Sequence, residues 1–134
     1  MRRQVRSDAE DAKTEVRTQK EGIQEGWMGL DIGPDTIASN SEVIKRSNTV
    51  FWNGPQGVFE MKPFAKGSLT MLDDIIEATA RGAISVAGGG DTVALLQGVE
   101  GSSEKLSHVS TGGGASLELV EGKQLPGVVA LSDK

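Results

Sequence analysis

Two runs of three glycines, Gly88-Gly89-Gly90 and Gly112-Gly113-Gly114, constrain this chain more than any other feature. Each follows a short apolar stretch and precedes a window with helical spacing. A strand that ends in glycine and turns at once into a helix is the joint of an α/β unit. The backbone amides at a helix N-terminus have no intrahelical acceptor and carry the positive end of the helix dipole. An anion is therefore stabilised there, and glycine lets it approach the main chain. Two such turns after neighbouring strands put two anion cradles on one edge of a parallel sheet, the edge where open α/β folds bind ligands. The turns match neither GxxxxGK[ST] nor GxGxxG, because Val93 and Leu117 stand where the third glycine of the latter belongs.

The elements around them repeat the same grammar. Trp27 to Ile32 reads as a strand, Gly33-Pro34-Asp35 as a turn, and Thr36 to Arg46 as a helix. Thr49 to Trp52 is a second strand, followed by the long loop Asn53-Gly54-Pro55-Gln56-Gly57. Pro63 opens the clearest helix, with Phe64, Leu72, Ile75, Ile76 and Thr79 on one side, and Gly82 closes it. Ala83 to Ala87 reads AISVA, which is apolar on both faces and suits a strand covered from both sides. A helix follows from Asp91, then a strand at Leu106 to Ser110, then a helix at Ala115 to Glu121. Leu125 to Leu131 reads as extended, with Pro126 and Gly127 interrupting it. The fold class is α/β, a partial Rossmann-like parallel sheet with helices on both faces. Residues 1–26 differ in texture. They are dense in charge, have only Val5, Val16 and Ile23 as aliphatics, and show no apolar period. They read as a charged surface segment ahead of an α/β domain spanning 27–134.

Several residues admit two readings on local grounds. A triple glycine also serves close packing of helix on strand. Asp91 is equally an N-cap or a hard oxygen ligand for magnesium, and Thr92 is a first-turn residue or a hydroxyl donor to phosphate. His108, the single histidine, has no acidic or hydroxyl partner nearby in sequence and is assigned no role. Trp27, Phe51, Trp52 and Phe64 read as core residues. Glu60 reads as solvated or as an acceptor for sugar hydroxyls.

Composition removes whole classes of function. A formal net charge of -5 opposes binding to nucleic acid, which draws its affinity from clustered Lys and Arg. The chain has no Cys, so thiolate nucleophiles, disulfides and cysteine zinc sites are absent, and a reducing cytoplasmic setting is the expectation. No apolar run reaches the ~20 residues of a membrane helix, and no targeting segment is expected.

Four blocks together resemble a known family. GWMGLDIGP at Gly26 to Pro34, WNGPQGVFE at Trp52 to Glu60, GGGDT at Gly88 to Thr92 and SHVSTGGGASLELVEGKQLPG at Ser107 to Gly127 are similar to the C-terminal nucleotide-binding domain of phosphoglycerate kinases. The resemblance runs from Gly26 to the C-terminus and implies roughly the final third of such an enzyme. It implies adenine beside Gly29 and Leu30, with Met28 adjacent. Asn53 and Pro55 are implied beside the phosphates and adenosine, and Glu60 on the ribose. Gly89, Gly90, Asp91 and Thr92 are implied as the phosphate loop, with Asp91 on the magnesium side and Thr92 as a hydroxyl contact. Gly112, Gly113 and Gly114 are implied at the transferring phosphoryl group, which makes Gly90, Thr92, Gly113 and Gly114 the group nearest the chemistry. The implied cofactors are ATP or ADP and Mg²⁺. The implied reaction moves a phosphoryl group between 1,3-bisphosphoglycerate and MgADP, giving 3-phosphoglycerate and ATP.

The chain also departs from the family. It shows no counterpart of the basic domain that holds phosphoglycerate, nor of the upstream lysines beside the phosphates. The expectation is a nucleotide half-site that does not turn over alone, with 3-phosphoglycerate a partner only of the full-length enzyme. The full-length family is usually monomeric. This chain, with inner strands bared, is expected to self-associate.

Overall fold

The computed structural model of the chain describes residues 2–5 and 13–132. Two three-stranded sheets organise it. Strands β1 (Arg2–Val5), β2 (Thr14–Arg17) and β3 (Met28–Ile32) form an antiparallel sheet in the order β2-β1-β3. Strands β4 (Thr49–Asn53), β5 (Ile84–Gly88) and β6 (His108–Ser110) form a parallel sheet in that order. The helices are α1 (Pro34–Lys45), α2 (Lys66–Ala80), α3 (Gly90–Gln97), α4 (Gly113–Val120) and the short α5 (Pro126–Val129).

The parallel sheet follows from its crossovers. Each of β4-α2-β5 and β5-α3-β6 returns through an α-helix, and parallel crossovers of one hand running in the same direction lay both helices on one face. The residues agree. Trp52 and Ala87 face a core of Leu72, Ile75, Ala78, Leu95, Leu96 and Leu106, with Val50 and Val109 packed beside it. Burying each large aliphatic there contributes roughly 1.5–3 kcal/mol. Ile44 adds α1 to the same core, and Ser41 on α1 hydrogen-bonds the Asp74 carboxylate on α2. On the other face Ser116 of α4 lies against Gly88. This is the expected α/β architecture with helices on both sides of a parallel sheet. The second face is less covered, since Phe51 and Val86 are half-buried and Ile84 is 57% exposed.

Three expectations change. The stretch at Trp27 to Ile32 is a strand, but it belongs to the antiparallel sheet. The charged segment before it, read as a surface segment without apolar period, contributes β1 and β2, and β1 pairs with β3 across residue 26. Sequence periodicity misses β2 because TEVR has no single apolar face, and backbone pairing sets its place instead. Its Glu15 pairs with Arg17 at 2.7 Å and with Lys13 at 3.6 Å. Thirdly, the tail at Leu125 to Leu131 contains a helical turn where an extended run was expected. Pro126 sits at its N-terminal position, where a missing N–H costs nothing. Trp52 and Phe64 are buried as expected, while Trp27 and Phe51 are half-buried. Among the described residues no helix is long and apolar enough to cross a membrane.

Candidate functional site

Parallel register sets the site. Asn53 lies level with Gly88 and Gly88 with Ser110, so the C-terminal ends of β4, β5 and β6 form one edge. Beyond β5 the chain turns at Gly89, whose φ of 96° lies in the region that side-chain-bearing residues avoid. The N–H of Val93 donates to the Gly89 carbonyl at 3.0 Å, closing the first turn of α3. That leaves the amides of Gly90, Asp91 and Thr92 without an intrahelical acceptor. Beyond β6 the pattern repeats, with the N–H of Ser116 donating to Gly112 O at 2.9 Å and the amides of Gly113, Gly114 and Ala115 left over. Neither helix has a side-chain cap. Two sets of uncapped amides therefore sit at the ends of adjacent strands.

The two glycine turns touch. A Cβ placed on Gly113 would stand 2.6 Å from Gly89 Cα and 3.4 Å from Asn53 Nδ2, and one on Gly89 would stand 3.0 Å from Asn53 Oδ1. Asn53, Gly89 and Gly113 thus form one close-packed cluster, with no room for a further atom. By contrast a Cβ on Gly90 or Gly114 would meet nothing within 4 Å. Those two positions face open space, where a ligand has access to the main chain. Asp91 is exposed in the first turn of α3.

Thr92 lies in the first turn of α3, as one of its two readings has it. It is 0% exposed, and its Oγ1 accepts the N–H of Gly54 at 2.8 Å. The hydroxyl therefore latches α3 to the loop after β4. What it offers the open edge is its backbone amide.

That loop, residues 54–61, carries the remaining candidates. The Trp52 indole N–H donates to Gly54 O at 2.7 Å, and the Gln56 N–H donates to the buried Ser68 Oγ at 2.9 Å. The Val58 N–H donates to Leu30 O at 2.9 Å, tying the loop to β3. Pro55 is half-buried, while Glu60 projects exposed from the turn that follows. Gly29 lies on β3 against Ile23 and lines a cavity of about 280 Å³ with Ile23, Asp31, Ile32 and Gln56. The candidates thus fall into two groups joined by one loop. Asn53, Gly89, Gly90, Asp91, Thr92, Gly113 and Gly114 gather at the sheet edge; Gly29 and Leu30 lie on β3, which Val58 of the loop reaches, and Pro55 and Glu60 lie on that loop. His108 is exposed on β6.

Sequence reasoning missed Ser110 and Ser116, whose hydroxyls meet at 2.9 Å across the second glycine turn while Ser110 Oγ accepts the Gly112 N–H at 3.3 Å. The serines that bracket the triple glycine were the available signal. Among the described residues no three His, Cys, Asp or Glu side chains cluster as a metal cage. A hard cation here would draw on Asp91 and on oxygens brought by its ligand.

Known proteins resemble this chain over nearly its whole length. The family model of phosphoglycerate kinase matches residues 2–123. A phosphoglycerate kinase of Sterkiella nova is 71% identical over 126 residues, covering 93% of this chain and 30% of its own length. One from Euplotes crassus is 63% identical over 127 residues, covering 95% of this chain and 30% of its own. The solved phosphoglycerate kinase of Coxiella burnetii superposes with a TM-score of 0.84 at 35% identity, over 96% of this chain and 32% of that one. The likeness therefore extends upstream of Gly26 into the charged segment, and the chain spans about 30% of the length of the curated relatives. With sequence and backbone alike matched over nearly its whole length, this chain belongs to the phosphoglycerate kinase family.

Proposed function

We propose that this chain supplies the nucleotide-holding half of phosphoglycerate kinase chemistry, the exchange of a phosphoryl group between 1,3-bisphosphoglycerate and MgADP to give 3-phosphoglycerate and ATP. The observation that carries the reading is the pair of uncapped helix N-termini, packed Gly113 against Gly89 at one sheet edge. Phosphoryl transfer needs little covalent help, and its rate comes from positioning and from neutralising charge on the transferred group. The amides of Gly90, Asp91 and Thr92 would hold the nucleotide phosphates. The amides of Gly113 and Gly114 would face the group in transfer, and the Asn53 amide side chain lies between the two turns. Bound magnesium would offset phosphate charge, with Asp91 as the protein carboxylate on that side. Gly29 and Leu30 would flank adenine, Pro55 would border the adenosine, and Glu60 would accept from the ribose hydroxyls.

A second reading, a nucleotide-binding module without turnover, is favoured by one observation. Neither glycine turn contains a Lys or Arg, so side-chain cations for the developing charge must come from elsewhere. Calorimetric titration with MgADP alongside a coupled assay of ATP formation separates the readings. Saturable MgADP binding supports the nucleotide site, and turnover at an ordinary kinase rate would rule out the module. Failure to bind MgADP at millimolar concentration would sink both.

A further inference from the structure

Asp31 is a buried carboxylate that the nucleotide-site residues do not include. It is 5% exposed on β3. Its Oδ2 accepts the N–H of Gly67, in the first turn of the 15-residue helix α2, at 3.0 Å, and its Oδ1 accepts the N–H of Ile32 at 2.8 Å. A negative group at that end of a helix is stabilised by the dipole and by the charge-assisted bond. Two glycines make way for it. A Cβ on Gly57 would lie 2.6 Å from Asp31 Oδ1 and 2.7 Å from Leu30 O, and a Cβ on Gly67 would collide with the same carboxylate oxygen. At both glycines the Asp31 carboxylate fills part of the space a side chain would need, alongside the Phe64 carbonyl at 2.5 Å from a Cβ on Gly57 and the Ile32 side chain at 2.6 Å from a Cβ on Gly67.

The loop is consequently held by two separate devices. Its first part hangs on Thr92 through Gly54. Its second part rests on β3 and the start of α2, through Val58 to Leu30, Gln56 to Ser68, and Gly57 against Asp31. Ser68 follows Gly67 directly in α2, so the bond from Gly67 to Asp31 fixes the turn that presents the Ser68 hydroxyl.

We infer that Asp31 is a positioning residue for the adenosine side of the site, setting the loop that carries Glu60, and that it leaves the phosphate side unaffected. The ligand half of this inference rests on the proposed nucleotide function, whereas the loop half does not.

The test uses the whole chain with Asp31→Asn and, as a harsher variant, Asp31→Ala. Amide hydrogen exchange is read at Gln56, Val58 and Gly67, and separately at Gly54 and Val93. Losing one charge-assisted buried hydrogen bond should raise exchange at the first three by about tenfold or more. Gly54 and Val93 should stay within about twofold of the wild type, as expected for groups in a separately held unit. Adenosine and tripolyphosphate are then titrated separately, and adenosine affinity should fall while tripolyphosphate affinity holds. Equal acceleration at all five amides would reduce Asp31 to a general stability residue and overturn the inference. Unchanged exchange at Gln56 and Val58 would overturn it as well. If Asp31→Ala fails to fold, Asp31→Asn decides, because it keeps the side-chain volume and one acceptor oxygen. If the wild type binds neither ligand, the proposed function fails while the exchange pattern still decides the role of Asp31.

Discussion

Substituting Gly113 by Ala would test the close approach of the two glycine turns directly. The added Cβ would sit 2.6 Å from Gly89 Cα and 2.9 Å from Gly89 N. An ordinary carbon–carbon contact needs at least about 3.5 Å, so α4 must retreat by roughly 1 Å from the turn before α3. Backbone, not a flexible side-chain tip, stands in the way, and overpacking of that kind costs about 1–3 kcal/mol. Helix propensity returns up to about 1 kcal/mol when glycine becomes alanine. The net loss of stability should therefore be modest, about 0–3 kcal/mol by urea unfolding followed by circular dichroism. MgADP affinity should fall by about tenfold or more, because separated cradles no longer hold one polyphosphate together. Gly114→Ala is the internal control. Its Cβ meets nothing within 4 Å, so it should match or exceed wild-type stability. Gly114 faces the ligand, so the control bears on stability alone, and equal stability of the two variants would refute the claim that the turns pack against each other.

Thr92→Val keeps the volume but leaves the Gly54 N–H without its acceptor, so it should cost about 1–3 kcal/mol in urea unfolding; a neutral result would mean that the latch is idle. Ile84→Lys places a charge on the half-covered sheet face, where Ile84 is 57% exposed. If that face drives self-association, sedimentation velocity should show concentration-dependent association in the wild type and less of it in the variant; a wild type that stays monomeric at all concentrations would refute the idea. The Arg17 hydrogen bond holds the Glu15 carboxyl below its ordinary value of 4.5, and hydrogen bonds from the Thr18 backbone and hydroxyl do the same for Glu21. Both shifts are downward, so their contribution to stability is fully present above pH 4.5 and is lost as pH falls through the lower, folded-state values. Carboxyl NMR titration should place both midpoints below 4.5, and unshifted midpoints would show that these contacts do not persist in solution.

How far the sequence discloses this protein depends on the range of the interactions involved. The helix from Lys66 to Ala80 is legible because Leu72 and Ile75 recur at helical spacing and meet the core, although Pro63 and Phe64, read as its start, belong to a separate short turn at Lys62–Phe64. Strand β5 is legible because five consecutive small or apolar residues suit a doubly covered position. The glycine turns stand out as helix starts, since their chemistry is local. Strands β1 and β2 do not, because RRQV and TEVR carry no apolar alternation and their register is set by backbone pairing. The packing of Gly113 on Gly89 and the wedge of Asp31 between Gly57 and Gly67 join residues far apart in sequence. Each of those glycines looks like an ordinary turn or helix residue until the partner is in place. The hydroxyl of Thr92 shows the same limit, since its partner lies 38 residues away.

The centre of the sheet edge is written almost wholly in main chain, with Gly89, Gly90, Gly113 and Gly114 contributing amides and no side chains. Alanine scanning, which elsewhere works by subtraction, works here by addition, because there is no side chain to remove and the alanine methyl is itself the perturbation. Loss of function here comes through gain of matter, and any residue bearing a Cβ at Gly89 or Gly113 is an insertion into occupied space. Mutational surveys of this chain should accordingly show an inverted profile at the site, tolerant of truncations around it and intolerant of the smallest additions within it.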